Sequence, residues 1–212
     1  MRCRAPLAAL LLLAPADAGS AAEGADPPWP GFGGPGRDFR VDAPPLADAW
    51  PDGGPPVVWR RAFGEGYAGL AHDGARVFSM RRDGDADEEV VVALDAETGE
   101  TAWEFRYDAP IEPDMNVEYG PGPHVTPALA GDLVVAVGVT VKVHALERTT
   151  GALRWSRDLR AEFEATHVKR GYCASPLVIG GLVILPIGGE AGALTALRRD
   201  DGEVAWRAGS FG

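Results

Sequence analysis

An all-β fold, a partial β-propeller of four-stranded antiparallel blades with three blades plus a lone closing strand, is predicted by three observations. A unit recurs as "ALDAETGETAW" from Ala93, "ALERTTGALRW" from Ala145 and "ALRRDDGEVAW" from Ala196. Its tryptophans, Trp103, Trp155 and Trp206, stand 52 and 51 residues apart, a period that belongs to solenoids and propellers. Apolar residues fall in short β-branched runs between Gly, Asp and Thr, with no 3.6-residue period, so helix should be scarce.

The first unit divides into "YAGLAHDG" from Tyr67, "ARVFSMRRDGD" from Ala75, "EEVVVALDAETG" from Glu88 and "ETAWEFRYDA" from Glu100. The second reads "HVTPALAGD" from His124, "LVVAVGVT" from Leu133, "VKVHALERTTG" from Val141 and "ALRWSRDL" from Ala152. The third reads "CASPLVIGG" from Cys173, "LVILPIGG" from Leu182, "ALTALRRDDG" from Ala193 and "EVAWRAGSF" from Glu203. Each phrase is one strand, and the blades are expected at 63–109, 110–159 and 160–212 within a repeat region of 56–212.

Within each unit the glycine, Gly99, Gly151 or Gly202, sits in the hairpin between third and fourth strands, where positive φ is needed. The tryptophan that follows is expected to cover that hairpin glycine and pack between sheets, with Ala93, Ala145 or Ala196 leaving room for the ring. These ten positions, counting Asp95, are read as structural. Trp59 in "PPVVWRRAFGEG" has no such hairpin before it and reads as a lone fourth strand. Three blades fall short of the roughly four to eight that close a ring, so either a longer protein or assembly with further copies is expected.

The 212 residues are 46% hydrophobic and 24% charged, enough for a real core. A formal charge of −11 argues against nucleic acid and against anionic lipid as partners. The start "MRCRAPLAALLLLAPADAG" has Arg2 and Arg4, an apolar run and Ala16-Asp17-Ala18, the plan of a signal peptide over 1–18. An uncleaved anchor is the other reading, although the apolar run falls short of the ~20 residues that span a bilayer. An irregular arm over 19–55 follows. Cleavage would remove Cys3 and leave Cys173 as the one thiol, read as a small buried residue with no disulfide partner.

The phrase "ALDAETGETAW" resembles the pyrroloquinoline quinone (PQQ) repeat A-L-D-x-x-T-G-x-x-x-W, the blade signature of quinoprotein dehydrogenases and of many non-enzymatic relatives. The second copy has Glu147 for the aspartate, and the third has Arg198 and Asp201 where aspartate and threonine stand. Thr126-Pro127 and Ser175-Pro176 resemble the inner-strand openings of such blades, and "WPGFGGPGRDF" from Trp29 resembles the arm of exported PQQ-like propellers, with Gly33 for an arginine. The resemblance covers the chain from about Pro56 onward and implies roughly six to eight blades in a whole ring.

The family's enzymes hold PQQ over calcium with an adjacent-cysteine disulfide, a tryptophan beneath the quinone and a catalytic aspartate. No Cys-Cys pair and no C-x-x-C-H haem motif occurs in these 212 residues, so no catalytic residue, no metal ligand and no cofactor is assigned. Asp83, Asp85 and Asp87 alternate like the start of an EF-hand loop, but Glu88 and Leu94 break the pattern, leaving a solvated turn. His72, His144 and His167 lack metal-ligand spacing. Candidate binding residues gather where loops lead into inner strands: Glu118, Tyr119, His124 and Thr126 before the second blade, Arg170, Tyr172 and Ser175 before the third.

The expected function is an exported, non-catalytic binding or scaffold module, periplasmic or extracellular, holding an envelope protein or small ligand on one face. It resembles in class the scaffold lipoprotein of the outer-membrane β-barrel assembly machinery, without a lipidation cysteine. The alternative is part of a PQQ-dependent alcohol or polymer dehydrogenase whose ligands lie beyond Gly212, with PQQ and calcium as its cofactors. A ligand-sensing ectodomain is a third reading.

Overall fold

The computed structural model describes residues 28–42, 48–113, 115–118, 120–163, 169–188 and 193–209. The expected signal peptide, Tyr119 and His167 lie outside the described residues.

Three four-stranded antiparallel sheets follow one another along the chain. The first holds β1 (Ala71–His72), β2 (Arg76–Asp83), β3 (Glu88–Asp95) and β4 (Thr101–Asp108). The second holds β5 (Ala128–Ala130), β6 (Leu133–Val137), β7 (Lys142–Glu147) and β8 (Leu153–Asp158). A single helical turn, α1 (Leu159–Phe163), leads on to β9 (Leu177–Ile179), β10 (Leu182–Pro186), β11 (Leu194–Arg198) and β12 (Val204–Ala208). In each sheet neighbours in sequence are neighbours in space, the meander of a propeller blade.

Alternation along the strands gives each blade two apolar faces. Phe78, Met80, Val91, Ala93 and Trp103 of the first blade meet Val134, Ala136 and Leu146 of the second. The other face of the second blade, with Val135, Val143, Ala145 and Trp155, meets Val183, Leu185 and Leu197 of the third. Middle strands such as β3 are therefore buried on both sides.

Each repeated alanine faces its tryptophan across the ladder, as Ala93–Trp103, Ala145–Trp155 and Ala196–Trp206. Immediately beyond, the register slips by one residue in all three blades, leaving Ala102, Arg154 and Ala205 as bulge residues on the fourth strand. The hairpin glycines have φ of 71°, 74° and 72°. Each donates its N–H four residues back, Gly99 to Asp95, Gly151 to Glu147 and Gly202 to Arg198, at 2.8–2.9 Å. Asp95 accepts from the N–H of Thr98 at 2.9 Å. In the third blade the carboxylate has moved to Asp201, which accepts from the Glu203 N–H at 3.0 Å and from Arg198 at 3.1 Å. The departure in sequence leaves the turn's closure intact.

The expected cover of each hairpin glycine by its own blade's tryptophan is corrected: Trp103 and Trp155 reach across to the glycine of the next blade. Trp103 lies over Gly151 and Trp155 over Gly202, where a Cβ would stand 2.7 Å from the ring in either case. The indole N–H of Trp103 donates to the Arg148 carbonyl at 3.0 Å, and that of Trp155 to the Arg199 carbonyl at 2.7 Å. Trp59 takes the same seat over Gly99 and donates to Ala96 at 2.9 Å. Among the described residues the backbone of 56–62 pairs with no other strand, as a lone fourth strand without its partners requires, and side chains hold it to the first blade: Trp59 over Gly99 and Arg61 on the Gly99 carbonyl at 2.6 Å.

The arm also has a defined course. Trp29 exchanges backbone hydrogen bonds with His72 at 2.9 and 3.0 Å, Pro30 accepts from Leu129 at 2.7 Å, and the Arg37 guanidinium reaches the Val178 carbonyl. One segment thus touches the inner strand of every blade and straps the three together.

Candidate functional site at the rim of the inner strands

The strands β1, β5 and β9 are the innermost of their blades, and the chain approaches each in the same way. Tyr67, His124 and Cys173 hold equivalent places, each four residues before its inner strand. Two residues on, Gly69, Thr126 and Ser175 form a second ring, where the Thr126 N–H donates to the Ser175 hydroxyl at 3.0 Å. Thr126 also packs against Gly69, where a Cβ would collide with its hydroxyl. Small or hydroxylated residues are required there because the blades converge towards the axis.

Above this ring opens a cavity of about 400 Å³ lined by Tyr67, Asn116, Gly120, His124, Arg170 and Cys173. Its walls come from all three blades, tied by backbone bonds from Tyr67 to Pro123 at 2.8 Å and from Tyr172 to Val139 at 2.9 Å. The rings of Tyr67 and His124 are stacked, with centroids 5.6 Å apart. Burial lowers the pKa of His124, so the imidazole is neutral at physiological pH and presents a flat, weakly polar surface. Arg170 supplies the charge and Asn116 an amide.

Of the residues singled out in the sequence, His124 and Arg170 meet in this cavity. Glu118 is exposed nearby, its N–H donated to Asn116 Oδ1 at 2.8 Å. Thr126 and Ser175 are the strut below, and Tyr172 is buried in the core at 6% exposure, where desolvation raises its hydroxyl pKa. Cys173 was expected to be buried and is exposed instead: Tyr172 fills the inward place, and the thiol turns to the cavity. Tyr67 and Asn116 were missed. The signal for Tyr67 was available, since alignment of the three units on their inner strands places it over His124 and Cys173.

A second group of ionisable residues lies between the first and second blades. Glu89, on the same face of β3 as Val91 and Ala93, is fully buried and accepts the Tyr107 hydroxyl at 2.6 Å and the Val139 N–H at 3.2 Å. Desolvation raises its pKa despite these bonds. Tyr107 packs on His144 with ring centroids 4.1 Å apart and planes tilted by 44°, and burial lowers the His144 pKa to about 4. His144 Nδ1 meets the Ser156 hydroxyl at 3.0 Å. Glu89 and His144 are buried between the two blades with Tyr107 partly buried beside them, so the group belongs to blade packing. In the acidic turn, Asp87 pairs with the buried Arg82, and Asp83 with Arg106 at 2.9 Å.

Among the described residues no cluster of three or more His, Cys, Asp or Glu could hold a metal ion, and no helix is long and apolar enough to cross a membrane. The cavity lining contains no carboxylate, so these residues do not fit PQQ held over calcium, an ion that requires several hard oxygen ligands.

A family model described as outer membrane protein assembly factor BamB matches residues 51–121 and 86–210, which include every tryptophan–glycine contact above. The chain belongs to this PQQ-repeat family. Solved structures resemble the chain in fold. Quinohemoprotein alcohol dehydrogenase from Comamonas testosteroni is 25% identical with a TM-score of 0.50, over 68% of this chain and 21% of that one. Quinohemoprotein alcohol dehydrogenase ADHIIG from Pseudomonas putida HK5 is 23% identical with a TM-score of 0.46, over 66% and 20%. BamB from Moraxella catarrhalis is 22% identical with a TM-score of 0.42, over 64% and 33%. The PQQ-repeat chain thus spans a third or less of the length of these solved proteins. No curated protein sequence matches it significantly.

Proposed function

We propose that this PQQ-repeat chain is a non-catalytic binding or scaffold module, exported to the cell envelope, that takes an envelope protein segment or a small ligand in the rim cavity. The observation that carries the reading is the convergence of Tyr67, His124 and Arg170 from three separate blades on one preformed opening. Packed blades presenting loop residues at one rim form a binding platform. The groups that chemistry would need are elsewhere: the carboxyl with a raised pKa, Glu89, is sealed between blades. Export rests on the charged, apolar and small-residue order of residues 1–18, and amino-terminal sequencing of the protein recovered from the envelope should begin at Gly19.

The dehydrogenase reading is favoured by the likeness in fold to the Comamonas enzyme. Under it, PQQ and calcium would draw their carboxylates from residues other than those lining the cavity. Incubation of the full chain with PQQ, calcium, an alcohol and an artificial electron acceptor separates the two. The scaffold reading expects no saturable PQQ binding and no acceptor reduction. Turnover that requires both PQQ and calcium would overturn it.

A further inference from the structure

A second cavity opens at the seam between the first and second blades and shares no lining residue with the rim cavity. It measures about 420 Å³, within the roughly 300–1,000 Å³ of small-molecule sites. Glu112 from the connection after β4, Thr140 and Lys142 from the β6–β7 hairpin, and Asp158 and Arg160 from the junction of β8 with α1 line it. Thr140 is 8% exposed, and its hydroxyl finds no hydrogen-bond partner among the described residues. A buried hydroxyl left unpaired is costly, and folded proteins satisfy the great majority of them. Its loop is pinned on both sides: the Gly138 N–H donates to Lys142 at 2.9 Å, the Val141 N–H to Gly138 at 3.0 Å, and the Val139 N–H to Glu89 at 3.2 Å. Val141 holds a φ of 65°, a value that a β-branched residue takes only under constraint, whereas in the first blade the residue just before β3 with a φ of 53° is Asp87, which tolerates it better. Strain of this kind gathers at ligand sites. The partner of Thr140 is therefore sought outside the chain.

The charges around the opening define that partner. Arg160 and Glu112 neutralise each other at 2.6 Å. Lys142 and Asp158 face each other at the end of the β7–β8 ladder, but each is engaged elsewhere. The Lys142 ammonium donates to the Asp108 carbonyl at 2.8 Å, and Asp158 Oδ1 accepts the Ala161 N–H at 3.0 Å. One cavity thus offers ammonium hydrogens on one strand and a carboxylate oxygen on its neighbour. A ligand with a single charge would be drawn to one of them and repelled by the other. A neutral sugar would forgo the charge-assisted bonds, and among the described residues no aromatic ring lines the cavity to receive its apolar face. A molecule carrying a carboxylate and an ammonium a few bonds apart answers both groups. We propose that the seam cavity binds a small zwitterion of the α-amino acid class, its carboxylate held by Lys142 and the Thr140 hydroxyl and its ammonium by Asp158.

The test screens the common L-amino acids against the full chain by thermal shift, then measures the tightest by calorimetry beside its α-hydroxy acid and its decarboxylated amine. The amino acid should bind at a single site, and each analogue, lacking one charge, at least about tenfold more weakly. Lys142→Met and Asp158→Asn should each weaken binding by a similar factor, with the asparagine still capping α1. His124→Ala, in the rim cavity, should leave the affinity unchanged, so this site stands or falls apart from the rim. Thr140→Val should weaken binding while raising the urea midpoint of the unliganded chain, because an isosteric methyl removes the unpaired hydroxyl. Binding of no amino acid would overturn the proposal, as would an analogue that binds equally well or an affinity indifferent to Lys142 and Asp158. A lowered midpoint in Thr140→Val would assign the hydroxyl to packing and overturn its part in the site.

Discussion

Trp103 lies over Gly151 of the following blade, so close that a Cβ on the glycine would stand 2.7 Å from the indole. Gly151→Ala must therefore displace the ring while taking a φ of 74° that costs an L-residue about 1–2 kcal/mol. With overpacking of about 1–3 kcal/mol added, urea unfolding should report a loss of roughly 2–5 kcal/mol. Gly180 has φ of 55° with nothing within 4 Å of a Cβ, so Gly180→Ala isolates the backbone cost and should lose only about 1–2 kcal/mol.

The tryptophans should rank by their seats rather than by their identical motif. Trp103→Ala and Trp155→Ala each remove a buried ring and a bond to the next blade's carbonyl, for about 3–5 kcal/mol. Trp206→Ala removes a ring exposed by 37%, and a loss of about 1 kcal/mol is expected in the same denaturation series. Equal losses at all three would contradict the assignment of partners.

Stability should fall on both sides of an intermediate pH. His144 is lowered from 6.5 to about 4 by burial, so its contribution is full above 6.5 and is lost as pH falls through about 4. Glu89 is raised by burial, so its protonated form favours folding at acid pH, and that contribution declines as pH rises through its folded pKa. Urea midpoints across pH should show the alkaline decline flattened in Glu89→Gln and the acid decline flattened in His144→Phe.

Removing the strap should loosen the inner strands without melting the blades. A Cβ at Gly34, φ 75°, would stand 2.7 Å from the Trp29 ring. Gly34→Ala should unseat Trp29 from His72, and trypsin should then cut faster at Arg37 and Arg40 while far-ultraviolet circular dichroism stays unchanged.

The blade plan was legible because its cause is local. A positive-φ glycine, a small residue opposite a large ring and alternating strands each write a residue type into a fixed place, and the Ala–Gly–Trp ruler carries all three. Partner choice was not legible: Trp103 is four residues from Gly99 in sequence yet covers Gly151, because a flat side chain on an outer strand reaches across blades. The bulges at Ala102, Arg154 and Ala205 have no composition signal. Glu89 could have been found, since strict alternation puts it on the inward face with Val91 and Ala93, but its adjacency to Glu88 made it look like a solvated charge run. At the rim, His124 and Arg170 were readable from their loops, whereas Asn116 enters the cavity through the path of a loop that no repeat governs.

The central claim, that the rim cavity receives an envelope partner, is tested most directly by photocrosslinking from Cys173, which is exposed in the cavity wall. The full-length chain, labelled there with a photoactivatable maleimide and incubated with envelope extract, should give one discrete adduct. That adduct should be lost with His124→Ala and Arg170→Ala and kept with Trp206→Ala. An adduct indifferent to His124 and Arg170, or no adduct at all, would contradict the account.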